Sequence, residues 1–100
     1  MKPFNADQIT LDNFEGIFKC KKKLEFASKA AFPVIIHALQ LNFPEGFTIT
    51  SKEGIEYGQP GDYLMFGIRG EKYICAKEIF EESYEKVEDI PVTRENEDID

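Results

Sequence analysis

Residues 60–84 read PGDYLMFGIRGEKYICAKEIFEESY, and the fold turns on how this stretch is divided. Pro60-Gly61-Asp62 forms a turn for identifiable reasons: proline presets φ, glycine tolerates positive φ, and aspartate accepts from nearby backbone N–H groups. Tyr63 to Ile68 is apolar and aromatic enough for a strand covered on both faces. Gly67 within it signals a bulge or a close backbone approach. Arg69-Gly70-Glu71 is the next turn, with Gly70 as the positive-φ residue of a short hairpin, and Lys72-Tyr73-Ile74-Cys75 returns as a strand. The period then changes. Ile79, Phe80, Ser83, Tyr84 and Val87 fall at helical spacing, while Glu78, Glu81, Glu82, Glu85 and Lys86 fill the opposite face. This spacing predicts a helix over residues 77–87, ended before Pro91.

Upstream, the pattern is mostly of short strands. Phe47-Thr48-Ile49-Thr50 alternates cleanly, Lys52-Glu53-Gly54 is a hairpin turn, and Ile55-Glu56-Tyr57 returns. Residues 34–41 form the most apolar strand. Alternation puts Val34, Ile36, Ala38 and Gln40 on one face and Ile35, His37, Leu39 and Leu41 on the other. Residues 17–21 are expected as a strand and another is expected to start near Leu24; a helix over residues 22–31, stopped by Pro33, is the alternative. Lys21-Lys22-Lys23 reads as a turn or strand edge protected by lysines. Residues 5–15 suggest a short helix with Asn5 as N-cap, Gln8 at the capping-box position and Gly16 as its stop.

One hundred residues make one domain. Its expected parts are an N-terminal arm over residues 1–25, an α+β core over residues 26–87, and an acidic tail over residues 88–100. The tail is too poor in apolar residues to fold alone and is expected to be disordered or loosely laid on the surface. Net charge is −7, and residues 81–100 hold nine acids against Lys86 and Arg94, so the rest of the chain is neutral. A neutral body with an acidic end is a poor wrapper of nucleic acid. The apolar runs fall far short of the roughly 20 residues a bilayer span requires, and the start lacks a signal peptide's apolar segment. Cytoplasmic location is therefore expected.

The stretch also carries a resemblance. Pro60-Gly61-Asp62-Tyr63, Gly67, Gly70-Glu71, Tyr73, Cys75, Ile79-Phe80 and Tyr84-Glu85 resemble the C-terminal signature of a widespread family of small phage and prophage proteins. That signature runs P-G-D-(Y/W), three residues, then G-x-x-G-E-x-Y-P-C-K-P-D-I-F-x-x-T-Y-E. Upstream, Pro33-Val34-Ile35-Ile36-His37-Ala38-Leu39-Gln40 resembles the family's K-K-P-V-x-(V/I)-E-A-x-Q. The match covers roughly residues 26 to 87. It departs at Ile74 and Lys77, where the family has prolines, at Ala31 and Phe32 in place of paired lysines, and at His37 in place of a glutamate. Most members have no assigned activity. The resemblance implies a phage or mobile-element origin and a compact fold, and no reaction.

No residues are spaced as a catalytic or metal-binding set. Cys20 and Cys75 with the single histidine do not match zinc spacing, and both are expected reduced and buried. The lysines beside Cys20 would lower its pKa if they reached the thiol. His37 has no paired serine, cysteine or carboxylate and reads as a polar rim residue. The glycines form neither a phosphate-binding loop nor a dinucleotide fingerprint.

The expected fold class is α+β: a strongly bent antiparallel sheet of about five or six strands, partly barrel-like, with the C-terminal amphipathic helix packed on one open side. The expected role is a non-enzymatic accessory protein that contacts a host or phage protein. No cofactor, membrane or direct nucleic-acid binding is expected, and self-association stays open. Tyr63, Arg69 and Glu71 are the candidate exposed contacts of the hairpin, and Phe66, Phe80 and Tyr84 belong in the core. The alternative is an acidic nucleic-acid mimic that uses Glu81, Glu82, Glu85, Glu88 and Asp89 to block a nucleic-acid-binding protein.

Overall fold

The computed structural model describes residues 2–23 and 35–87. They form two sheets and one short helix. A three-stranded sheet joins β1 (Phe4–Asn5), β4 (Phe47–Ser51) and β5 (Gly54–Gly58) in the order β1-β4-β5, with β1 parallel to β4 and β5 antiparallel to it. A five-stranded antiparallel sheet runs β7-β6-β3-β2-β8, from β7 (Lys72–Cys75) through β6 (Tyr63–Phe66), β3 (Ile35–Gln40) and β2 (Phe18–Lys22) to β8 (Tyr84–Lys86). Helix α1 (Lys77–Ser83) connects its two edge strands.

The α+β class is therefore right and the barrel is not. The strands divide between two sheets, and neither sheet closes on itself. The reason is the alternation along β6, all four of whose residues are buried. Leu64 and Phe66 face the three-stranded sheet and meet Leu39, Leu41, Phe47 and Ile49. Tyr63 and Met65 face the other way and meet Cys20, Ala38 and Phe80. A sheet buried on both faces needs a layer on each side, which a small barrel does not supply. The three-stranded sheet provides one layer and α1 the other.

The helix is shorter than its spacing predicts. It ends at Ser83 because Tyr84 adopts extended backbone and β8 pairs with β2 through Cys20–Lys86, Lys21–Glu85 and Lys22–Tyr84. The ladder is continued by Lys23 N–H on the Ser83 carbonyl at 2.7 Å and Val87 N–H on the Lys19 carbonyl at 2.9 Å. Ile79, expected on the buried face, is 56% exposed; Phe80 alone anchors the helix. Its ring stacks on Tyr63 at 3.7 Å between centroids and on Tyr84 at 5.3 Å, and meets Phe18 edge-on at 6.2 Å.

The N-terminal residues are not an arm. Ala6, Ile9 and Cys20 are fully buried, β1 pairs with β4, and β2 lies between β3 and β8. Lys21 and Lys22 accordingly sit within an inner strand rather than on an edge or turn. The expected helix over residues 5–15 is a single 3₁₀ turn, Ala6–Gln8. Asn5 does cap it, Oδ1 accepting from Asp7 N–H at 2.9 Å, but Gln8 donates to the Asn5 carbonyl instead of completing a capping box. The strand expected near Leu24, most of the alternative helix over residues 22–31 and the acidic tail lie outside the described residues.

Candidate functional site

One side of the molecule is an open cleft of about 820 Å³ between the β4–β5 hairpin and the β6–β7 turn. Three ties hold its walls. Asp7, from the 3₁₀ turn, accepts from Thr50 N–H at 2.8 Å and from Thr50 Oγ1 at 2.6 Å. Lys72 Nζ donates to the Asp7 and Ile9 carbonyls at 2.7 and 2.8 Å, so β7 is pinned to the same turn. Those carbonyls lie at the end of a short helical turn, where backbone acceptors lack intrahelical partners. The Thr50 hydrogen bonds hold the Asp7 carboxyl below its ordinary value, outweighing burial, which opposes them, with Lys72 adding a smaller lowering.

The third tie lies within the β6–β7 turn. Gly67 N–H donates to the Glu71 carbonyl at 2.7 Å, Gly70 N–H to the Gly67 carbonyl at 3.0 Å, and Arg69 N–H to Glu71 Oε1 at 3.0 Å. The Glu71 carboxylate lies where a Cβ on Gly67 would sit. The close approach expected at Gly67 is thus present, made by a side chain rather than by a strand. Glu53, Glu56, Lys52 and Arg69 also line the cleft, so it is charged with both signs.

The sequence candidates fall in three places. Arg69 and Glu71 are exposed at the cleft. Tyr63 is only 8% exposed, which corrects its assignment as a surface contact: α1 folds back over it and Phe80 stacks on its ring. Burial, helped by Glu81 and Cys75, pushes its phenol upward. Glu81, Glu82 and Glu85 are exposed on α1 and β8, across the five-stranded sheet from the cleft. Glu85 pairs with Lys21 at 3.5 Å, and Lys23 Nζ donates to the Glu81 carbonyl at 2.6 Å, so lysines of and beside β2 lie along this acidic edge.

Sequence reading missed the exposed apolar residues of β5 and the β6–β7 turn. Ile68 is 76% exposed at the turn; Ile55 and Tyr57 are 61% and 71% exposed on β5. Their alternation with Glu56 was visible, but which face lacked a covering layer depended on the position of the second sheet.

The remaining nucleophiles and bases do not assemble. Cys20 and Cys75 are free thiols packed in the helix-side core. Burial pushes Cys20 up to about 11, with Cys75 adding to it, so the neighbouring lysines do not activate it. Burial, then Asp62, pushes Cys75 up as well. His37 is half-buried beside Lys19 in a second cleft of about 480 Å³ that also includes Gly16, Lys86 and Val87. Among the described residues, no group of three or more His, Cys, Asp or Glu side chains is placed to hold a metal ion, and no helix is long and apolar enough to cross a membrane.

No family model, curated protein or solved structure matches the chain.

Proposed function

We propose that this chain is a non-catalytic accessory module of the phage or prophage type, acting by contact with another protein through β5 and the β6–β7 turn. The observation that carries this reading is that three large apolar side chains are left largely in water: Ile68 on the β6–β7 turn, and Ile55 and Tyr57 on the face of β5 opposite the cleft-lining Glu56. Exposed large apolar side chains with a charged border are a usual composition for protein contact surfaces. Arg69 and Glu71 stand beside Ile68 and supply the polar border. The phage assignment rests on the sequence resemblance alone. Its signature residues serve the fold here: Asp62 holds the start of α1, Glu71 braces the turn at Gly67, and Phe80 and Tyr84 stack in the core. They describe a scaffold and, apart from Glu71, leave the proposed contact surface to residues outside the signature.

The test is capture from bacterial and phage-infected lysates by the immobilised full chain and by a variant carrying Ile55→Asp and Ile68→Asp. Both positions are exposed, so each change should alter stability by less than about 0.5 kcal/mol. Loss of a specific partner with an unchanged melting curve supports the reading. A partner held equally by wild type and variant contradicts it.

A further inference from the structure

We infer that the free edge of β5 is a strand-docking site whose occupant is an extended segment with a lysine or arginine between two apolar residues. The inference rests on the contact-module reading above and specifies the partner's chemistry.

Among the described residues, β5 is the last strand of its sheet. The hairpin pairs Ser51 with Gly54 across a two-residue turn, followed by Thr50–Ile55, Ile49–Glu56, Thr48–Tyr57 and Phe47–Gly58. Hydrogen-bonded and non-hydrogen-bonded pairs alternate along such a ladder. Thr50 fixes the phase, because its N–H points away from β5 to Asp7 Oδ1. Its cross-strand neighbour Ile55 therefore turns its own N–H and C=O away from β4, and Tyr57, two residues on, does the same. The outward groups lie beneath the two most exposed side chains of the strand, with Glu56 between them on the opposite, cleft-lining face. The segment Gly54-Ile55-Glu56-Tyr57-Gly58 has no proline, lysine or bulge to protect the edge.

Glu56 decides the occupant. A second copy could pair two-fold symmetrically, and one antiparallel register uses the outward groups of both Ile55 and Tyr57 on both copies. That register sets the two Glu56 side chains directly opposite each other at a closely spaced, non-hydrogen-bonded position. Like charges so placed are destabilising. A partner strand with a cation there converts the repulsion to attraction, and Glu56, half-buried at the cleft, is less screened than a surface carboxylate. Apolar residues on either side of the cation would then lie against Ile55 and Tyr57, as in strand-addition recognition.

The experiment uses the full chain, labelled for NMR, and two capped pentapeptides, Thr-Val-Lys-Val-Thr and Thr-Val-Glu-Val-Thr. The expected result is that the lysine peptide slows amide exchange at Ile55 and Tyr57 by about tenfold or more, while the glutamate peptide at equal concentration does not. Glu56→Lys should reverse that preference, which a merely structural role for Glu56 would not do. Tyr57→Pro removes one outward donor and no β4–β5 hydrogen bond, so it should abolish the effect in a folded protein. No slowing at Ile55 and Tyr57, or a preference unchanged by Glu56→Lys, overturns the inference. Protection that rises with protein concentration without peptide assigns the edge to a second copy and overturns the stated occupant. If the peptides fail while Ile55→Asp with Ile68→Asp still abolishes partner capture, the docking mode falls and the contact-module reading stands. If that variant retains its partner, the contact-module reading falls too.

Discussion

Asp62 accepts from Gln59 N–H and from Lys77 N–H, both at 2.9 Å, so one carboxylate closes the turn before β6 and holds the first residue of α1. The residue preceding the helix is Ala76, which has no capping side chain, and Asp62 supplies that acceptor from 15 residues upstream. It is almost fully buried. Asp62→Ala therefore leaves two part-buried donors without their acceptor, and a loss of about 1–2 kcal/mol is expected, seen as a lower urea midpoint with an unchanged slope. Phe80→Ala removes the ring that Tyr63, Tyr84 and Phe18 pack around, and a loss of about 3–5 kcal/mol is expected in the same measurement. A Phe80→Ala protein as stable as wild type would mean that α1 is not the cover of the helix-side core. Sequence reading identified Asp62 as a turn residue and Phe80 as core. It placed Tyr63 among the exposed hairpin contacts, and the helix residue that buries it, Phe80, lies 17 residues further along the chain.

Among the elements, local signals were read well and distant pairings poorly. The β4–β5 and β6–β7 hairpins follow from alternating residues bracketing Gly54 and Gly70, both at positive φ. The end of α1 did not follow, because Phe80, Tyr84 and Val87 suit a helix face as well as they suit the observed break. What selects the break is β2, more than 60 residues upstream, whose edge β8 covers. β1 has only two residues, too few for a period, and its pairing with β4 is parallel and long-range. Titration provides tests of these packings. Asp7 has a folded pKa below its ordinary 3.8, so its contribution to stability is present above that pH and lost as pH falls through the folded value. Thr50→Val removes the hydroxyl donor and should flatten the stability profile below about pH 4. Cys20 behaves oppositely: with its pKa raised from 9.0 to about 11, its contribution is intact below pH 9 and lost as pH rises through about 11. Tyr73, pushed from 10.0 to about 12 by burial and then by Tyr84, extends the alkaline loss. Cys20→Ala should remove the lower part of that loss and leave the upper. Identical alkaline profiles for the two proteins would contradict the burial of Cys20.

For the molecule as a whole, β2 is an inner strand and Ala6 and Ile9 belong to the sheet–sheet core, so residues 4–22 are built into the same fold as the rest of the described chain. A chain starting at residue 26 is expected not to fold, with circular dichroism and NMR dispersion as the check; a cooperative melt from that fragment would restore the idea of a separable arm. The layered arrangement covers both faces of the five-stranded sheet around β6 and, among the described residues, leaves one edge of β5 unpaired with Ile55 and Tyr57 exposed. The acidic edge differs from that surface in being interleaved with lysines, which weakens it as an imitation of a phosphate track. Recognition through β5 and the β6–β7 turn is tested by a hydrogen-exchange footprint of the full chain with and without the partner it captures. The account predicts slowed exchange over residues 54–58 and 67–71, with α1 and β8 unchanged. Slowing confined to α1, β8 or residues beyond 87 would contradict it and transfer recognition to the acidic end of the chain.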